Sequence, residues 1–171
     1  MLELERRNIL PEHQAGFRPG KSTIYNTLRL ERYAQSQPRC ARPRRHSAII
    51  LFDIRAAFDS SDAPQGSPLS PLLYIIYTVD SMNKIPTHRE HGLFGDNTAL
   101  WTLAKTMTSL SFRLPQSVDA FESWCKPWKL KLQPTKTEMV HFTIHPRKKY
   151  KHPVAVKVDN TIINRWIMQD T

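Results

Sequence analysis

The run SAIILFDI, residues 47–54, constrains the fold of this chain more than any other segment. It is short, continuous, apolar and rich in β-branched residues, which is typical of a strand buried in the middle of a sheet. Asp53 stands near its end, and a lone carboxylate in such surroundings is costly unless it meets a cation or a hydrogen-bond network. The segment therefore predicts a central strand whose carboxylate needs a partner.

A second carboxylate lies at the tip of a hairpin predicted in LFGDNTALW, residues 93–101. Asp96 is followed by Asn97, and both residue types are common in hairpin turns because they tolerate a positive φ. If the hairpin lies beside the strand at 47–54, Asp53 and Asp96 converge on one divalent cation, for which carboxylate oxygens are suitable ligands. From spacing alone, a metal site and an ordinary turn both stay open.

The remaining segments predict a mixture of helices and strands. The predicted elements are helices over residues 22–35, 70–79 and 117–126, a strand over 138–144 and a hairpin over 154–163. The second helix can be capped by Ser70, with Pro71 at its first position, and it is apolar on most sides, which predicts burial. Because the elements show no strict βαβ repeat, the predicted class is α+β.

The charge of the chain favours a polyanionic partner. Its 171 residues carry a net charge of +10, and a cation placed beside a phosphate releases counterions, so nucleic acid is the simplest partner. Residues 38–46 and 147–151 are the basic segments that would form the contact. A solvated basic surface is the alternative interpretation.

Membrane and export signals are not expected. The longest apolar run, LLYIIYTV, is much shorter than the roughly 20 residues of a membrane helix, and the charged N-terminus is unlike a signal peptide. We therefore expect an intracellular protein that does not enter a membrane.

The segment AGFRPGKST resembles a phosphate-binding loop but departs from that motif. The motif needs a glycine five positions before Gly20, where this chain has Ala15, and it needs an apolar strand in front. A nucleotide hydrolase of this type is therefore disfavoured.

Several histidines and tryptophans are also candidates for binding. His141 and His145 lie in a predicted strand without nearby carboxylate or cysteine partners, so we expect surface histidines and no metal site. Trp124, Trp128 and Trp166 could stack on bases, but their helical or strand spacing favours the core.

Five blocks in one order resemble the reverse transcriptase domain of non-LTR retrotransposons, especially the jockey-like group. They are HQAGFRPGKST, ILFDIRAAFDS, PQGSPLSPLLY, FGDNTAL and WKLKLQPTKTEMVHF. The resemblance implies a partial right-hand polymerase palm over residues 47–145, an antiparallel sheet with packed helices. It also implies a remnant of the fingers over 8–37 and the start of the thumb. Residues 1–163 would form the partial domain and 164–171 a C-terminal tail.

The resemblance assigns the catalytic residues. Asp53 and Asp96 match the metal-binding aspartates, and Asn97 stands where the family's hairpin has its second aspartate. Lys136 matches a lysine expected to act as an acid near the pyrophosphate leaving group. The implied cofactor is Mg²⁺ or Mn²⁺.

The resemblance also assigns nucleotide-binding residues. Arg18 is expected near the triphosphate, and Phe58 matches the bulky residue that excludes a ribose 2′-hydroxyl. Gln65 and Gly66 match the loop against the incoming nucleotide and the template. The implied partners are an RNA template, a DNA primer and deoxynucleotide triphosphates.

Two departures from the family pattern lead us to expect lost or impaired activity. Asn97 removes one negative charge from a site that holds two cations. Only residues 60–63 join the first aspartate block to the Pro-Gln-Gly block, where the family has several dozen residues. The alternative function is a basic remnant that binds nucleic acid without catalysis.

Overall fold

The computed structural model describes residues 2–35, 46–55, 70–85, 90–94, 97–143 and 154–169. The helices in these residues are α1 (Leu2–Arg6), α2 (Thr23–Gln35), α3 (Ser70–Tyr77) and α4 (Met107–Cys125). The strands are β1 (His46–Arg55), β2 (Glu90–Phe94), β3 (Asn97–Ala104), β4 (Lys131–Leu132), β5 (Glu138–Thr143), β6 (Lys157–Val158), β7 (Thr161–Ile162) and β8 (Asn164–Gln169).

One large sheet organises the described chain. Its order is β2-β3-β1-β5-β8, and the short β4 pairs with the end of β1. The pairings are antiparallel except that of β5 with β8, which is parallel. The α+β class and an antiparallel-dominated sheet are therefore confirmed, as is the central position of the strand at 47–54.

One face of the sheet is covered by helix α4, whereas the other is partly exposed to solvent. Alternate residues of β1 point into the core, namely Ala48, Ile50, Phe52 and Ile54. Helix α4 packs on this face, where the rings of Phe52 and Phe121 lie 5.3 Å apart. Since side chains alternate along a strand, Leu51 and Asp53 point to the opposite face, and Leu51 is 44 % exposed there. We call the part of that opposite side around Leu51 and Asp53 the open face.

Helix α4 begins ten residues earlier than the predicted start at Ser117. Thr106 caps it by accepting the Ser109 N–H on its side-chain oxygen at 3.1 Å, and Pro115 lies inside it. A proline in a helix interior costs about 3 kcal/mol. The buried stripe of Leu110, Leu114, Val118 and Phe121 runs past the proline without a break, and burial of those side chains offsets the cost.

The predicted helix at Ser70 is present as α3, but the prediction that it is buried on most sides is wrong. Tyr74 and Ile75 are fully buried, whereas Leu73 is 50 % and Ile76 42 % exposed. Only one face of this helix therefore packs against the core.

The predicted hairpin near the C-terminus is confirmed. Asp159 and Asn160 have φ values of 48° and 60°, the positive values that a two-residue type I′ turn requires. The alternating valines before it, Val154, Val156 and Val158, are all buried.

The segment predicted as a tail, 164–171, instead supplies a strand through most of its length. Strand β8 pairs with β5 in parallel, with Val140 opposite Trp166 and His141 opposite Ile167. Trp166 and Ile167, which are successive residues of the strand, are 54 % and 39 % exposed, so burial imposes no alternation here and the sequence did not indicate this strand.

His141 is buried, and the prediction of a surface histidine is wrong. It has no exposed surface, and its ring lies 5.6 Å from that of His46. It points to the α4 face of β5, where desolvation lowers its pKa to about 4. His145 lies outside the described residues.

The tryptophans divide between core and surface. Trp124 is buried as predicted and donates its indole N–H to Asp80 at 3.0 Å. Trp128 and Trp166 are 40 % and 54 % exposed, contrary to the prediction of core positions.

None of the helices described above has both the length and the apolar character that a bilayer crossing demands.

Candidate catalytic site

The strand register places Asn97 opposite Asp53. They are Cα partners in the antiparallel β1–β3 pair, so their Cβ atoms are ~4.5–5.5 Å apart and their side chains share the open face. The Asp53 side chain is 24 % exposed, which leaves its carboxylate accessible from that face.

The predicted hairpin is confirmed as strands β2 and β3. Phe94 and Asn97 are Cα partners at its closed end. The two residues between them, Gly95 and Asp96, lie outside the described residues. The role of Asp96 as a metal ligand therefore stays a prediction.

Lys136 contacts Asp53 directly. Its ammonium nitrogen lies 3.1 Å from Asp53 Oδ2. The turn that carries the lysine is attached to the same aspartate, because the Gln133 N–H donates to the Asp53 carbonyl at 2.9 Å. Thr137 closes the turn, donating from its N–H and its hydroxyl to the Gln133 carbonyl at 2.9 and 2.8 Å. The structure thus brings together Asp53, Asn97 and Lys136.

The outer strand of the hairpin is held by the HQAG block. The Leu93 N–H donates to the His13 carbonyl at 2.8 Å, and the Ala15 N–H donates to the Leu93 carbonyl at 2.9 Å. Gln14 bridges to Leu93 in parallel. This segment extends the sheet beyond β2 and fixes the edge of the strand that leads into the turn.

Helix α2 holds the same strand through two side chains. Asn26 donates its amide N–H to the Leu93 carbonyl at 3.0 Å, and Arg29 donates to the His91 carbonyl at 3.2 Å. Gly92 makes this approach possible, since a Cβ there would lie 2.8 Å from Asn26 Cγ. Sequence reasoning missed Asn26 and Arg29, because no local pattern links residues so far apart in the chain.

His91 of β2 contacts His13 of the N-terminal segment. The rings of His13 and His91 meet edge to face with centroids 4.3 Å apart. Desolvation, with nearby positive charge, lowers their pKa values to about 3 and about 4. Both imidazoles are therefore neutral at neutral pH, which allows them to pack against each other.

Arg18 lies in the N-terminal segment and has a structural role. Its side chain is 6 % exposed and pairs with Glu5, and the hydrogen bond from Arg18 lowers the Glu5 pKa. It also donates to the carbonyls of Pro11 and Gln14, at 2.6 and 3.0 Å. The contact with a triphosphate stays a prediction, and the described contacts tie this guanidinium to its own segment.

The other predicted nucleotide-binding residues, Phe58, Gln65 and Gly66, lie outside the described residues. So do nearly all of the basic segment at 38–46 and the whole of that at 147–151. Within the residues that the structure describes, no group of three histidine, cysteine or acidic side chains comes together as a metal site. The predicted metal site therefore depends on Asp53 and on Asp96.

Comparison with known proteins agrees with the motifs. A family described as "Reverse transcriptase (RNA-dependent DNA polymerase)" matches residues 60–160, a range that includes the hairpin and Lys136. The chain is 22 % identical over 206 residues to a Drosophila melanogaster protein named "Probable RNA-directed DNA polymerase from transposon BS". It is also 30 % identical over 93 and 92 residues to proteins named "RNA-directed DNA polymerase from mobile element jockey", from Drosophila melanogaster and Drosophila funebris.

The extent of these matches bears on the site. The transposon BS match covers 90 % of this chain, so it includes Asp53. The jockey matches cover 48 % and 50 % of this chain. The BS match runs over more residues than the 171 of this chain, so part of the relative has no counterpart here. The chain spans about a fifth of the length of that relative and about a tenth of the jockey proteins.

Proposed function

The chain belongs to the reverse transcriptase family, and from that membership we propose that its open face is built for templated nucleotidyl transfer. In this proposal residues 47–145 are a partial polymerase palm and residues 8–37 a remnant of the fingers. The reaction would extend a DNA primer along an RNA template with deoxynucleotide triphosphates. Activity is strongly impaired in this chain.

The observation that supports the proposal best is the meeting of Asp53, Asn97 and Lys136 on the open face. They come from three of the family-like blocks, and the strand register and the ion pair bring them together. If these blocks had no common function, their motif residues Asp53, Asn97 and Lys136 would not be expected to lie together.

The donor chemistry at this place fits a divalent cation. Asp53 offers a partly exposed carboxylate, and Asn97 offers an amide oxygen one strand away; hard oxygen ligands of this kind suit Mg²⁺. Asp96, joined directly to Asn97, would supply the second carboxylate. When bound, the ions stabilise charge on the attacking 3′-oxygen and on the leaving pyrophosphate.

The chain's own groups have separate roles in this proposal. Asp53 and Asp96 hold the cations, Asn97 orients the site as a neutral ligand, and Lys136 holds a proton near the leaving group. Asn26 and Arg29 keep β2 in place, so that the turn after it presents Asp96.

Two features account for the impairment. Asn97 provides less negative charge than an aspartate would, which weakens the hold on cations that repel each other. The connection between the first aspartate block and the Pro-Gln-Gly block is also far shorter than in the family. A site held by fewer supporting elements is less well preorganised.

Primer extension on an RNA template tests the proposal. The purified chain is assayed with Mg²⁺ and with Mn²⁺, beside Asp53→Ala and Asn97→Asp. We expect weak extension with Mn²⁺, none from Asp53→Ala and more from Asn97→Asp.

The other outcomes are equally informative. Product that persists in Asp53→Ala would show that another site or a contaminant is responsible. The absence of product from every variant would show that the chain does not perform the proposed reaction.

A further inference from the structure

We propose that Lys136 is the resident counter-ion of the Asp53 carboxylate, and that a divalent cation must displace its ammonium group in order to bind. The inference rests on the proposed function, because it takes Asp53 as a metal ligand. It adds a competition between two cations for one carboxylate.

The need for a counter-ion follows from the position of Asp53. Its side chain is only 24 % exposed and stands near the end of the central strand, where an uncompensated charge is costly. The Lys136 ammonium, 3.1 Å away, supplies the compensation. A divalent cation at the same oxygen would stand too close to that ammonium for both to remain, since like charges a few Å apart repel strongly.

The turn is built so that the lysine can leave without unfolding. Its attachment to β1 is through the main chain, from the Gln133 N–H to the Asp53 carbonyl, and Thr137 closes it with backbone and hydroxyl bonds. None of these bonds involves the Lys136 side chain. That side chain is 64 % exposed and has a flexible four-carbon stem, so a change of rotamer is enough to release it.

The competition links the two proposed roles of Lys136, which are to neutralise Asp53 and to hold a proton near the leaving group. While Asp53 lacks a metal ion, the ammonium stays on the carboxylate. Once the ion arrives, the ammonium is released toward solvent on the open face, where a polyphosphate would be its next partner. Lys136 is therefore a positioning residue for the metal site.

Mn²⁺ binding to the full chain, followed by the electron paramagnetic resonance signal of the free ion, tests this inference without turnover. Lys136→Gln removes the competing charge, so the Kd is expected to fall by about two- to fivefold, the range of an exposed ion pair. Lys136→Arg keeps the charge and is expected to bind as the unmodified chain does. Asp53→Asn is expected to lose this binding.

Lys131→Gln is the matched control. Lys131 is exposed on β4, opposite Arg55, and its replacement removes the same formal charge from the same region. A fall in Kd that is equal in Lys131→Gln and Lys136→Gln, or no fall in either, would overturn the inference.

The two proposals fail in different ways. Mn²⁺ binding that survives Asp53→Asn contradicts the metal role of Asp53, and with it both proposals. If Lys136→Gln lowers the Kd for Mn²⁺ as expected but no variant extends a primer, the proposed function is contradicted. The competition between Lys136 and the metal ion then still stands.

Discussion

Asp53 is bordered by an amide on one side and an ammonium on the other. Asn97 is its partner across the strands, and Lys136 is its ion-pair partner. Neither of these two neighbours adds negative charge, so among them Asp53 alone attracts a cation. In the proposed function Asp96 supplies the second negative charge, and Asn97→Asp is expected to add a third and to increase primer extension.

Histidines with lowered pKa values make stability depend on pH. The folded pKa values of His13 and His91 are about 3 and about 4, below the ordinary value of about 6.5. Below pH 6.5 the unfolded chain therefore binds more protons than the folded chain. The stabilisation is fully present above pH 6.5 and is lost as the pH falls toward 4 for His91 and toward 3 for His13.

We expect the free energy of unfolding to drop by about 1 kcal/mol for each such histidine at pH 5.5. His141, with a folded pKa of about 4, contributes in the same direction. The measurement is Tm against pH by circular dichroism. His91→Gln should flatten the slope between pH 6.5 and 5 by roughly a third, since it removes one of the three histidines whose pKa is lowered within the described residues. An unchanged slope would show that His91 is not held neutral by its surroundings.

At the scale of elements, the contact of α2 with β2 holds the hairpin. It depends on the close approach of Asn26 to the backbone at Gly92. Gly92→Ala would place a methyl group 2.8 Å from Asn26 Cγ, and we expect a loss of about 1–3 kcal/mol in the free energy of unfolding. Urea denaturation measures it.

The matched control is the same change in an Asn26→Ala background. With the amide gone the methyl has room, so Gly92→Ala should then cost less than half as much. If the two costs are equal, the strain lies elsewhere than in the Asn26 contact.

In helix α4, by contrast, a single substitution is expected to stabilise the fold. Pro115 lacks the N–H that an interior helical residue donates, so Pro115→Ala should raise the free energy of unfolding by about 1–3 kcal/mol. Pro127, which follows the helix, is the control, and its replacement by alanine should give no such gain. A loss of stability in Pro115→Ala would mean that the ring contributes more to packing than it costs in hydrogen bonding.

At the scale of the whole molecule, the net charge of +10 predicts strongly salt-dependent binding of nucleic acid. The logarithm of the affinity for a duplex should fall linearly with the logarithm of salt concentration, by ~0.9 for each neutralised phosphate. Replacing the four arginines of residues 38–46 by glutamine should lower the slope by about 2–4. Arg6 and Arg7, which pair with Glu3, are the control pair. A slope that stays the same when the arginines of 38–46 are replaced would exclude that segment from the contact with nucleic acid.

The predictable part of the fold was the part with local patterns. The continuous apolar run predicted the central strand, and the Asp159-Asn160 pair predicted the second hairpin, because each signal lies within a few consecutive residues. The predicted start of α4 was wrong because Pro115 is a strong local signal against a helix interior. The packing of Leu110 and Leu114 in the core outweighs that signal.

The site divides in the same way. Asp53, Asn97 and Lys136 could be singled out by their motifs, but their meeting depends on strand order, which no window of sequence contains. The same holds for Asn26 and Arg29, whose partners are main-chain carbonyls and therefore leave no side-chain signature. The parallel pairing of β8 was missed because such a strand shows little alternation.

The bond between Ala15 and Leu93 has a consequence for how the chain is made. A ribosome adds ~5–20 residues per second, so the first segment waits several seconds after synthesis before the strand that completes it has emerged. During that wait the main-chain groups of His13 and Ala15 that pair with Leu93 have no strand beside them. Unpaired strand edges favour aggregation, so a nascent chain needs protection during this interval.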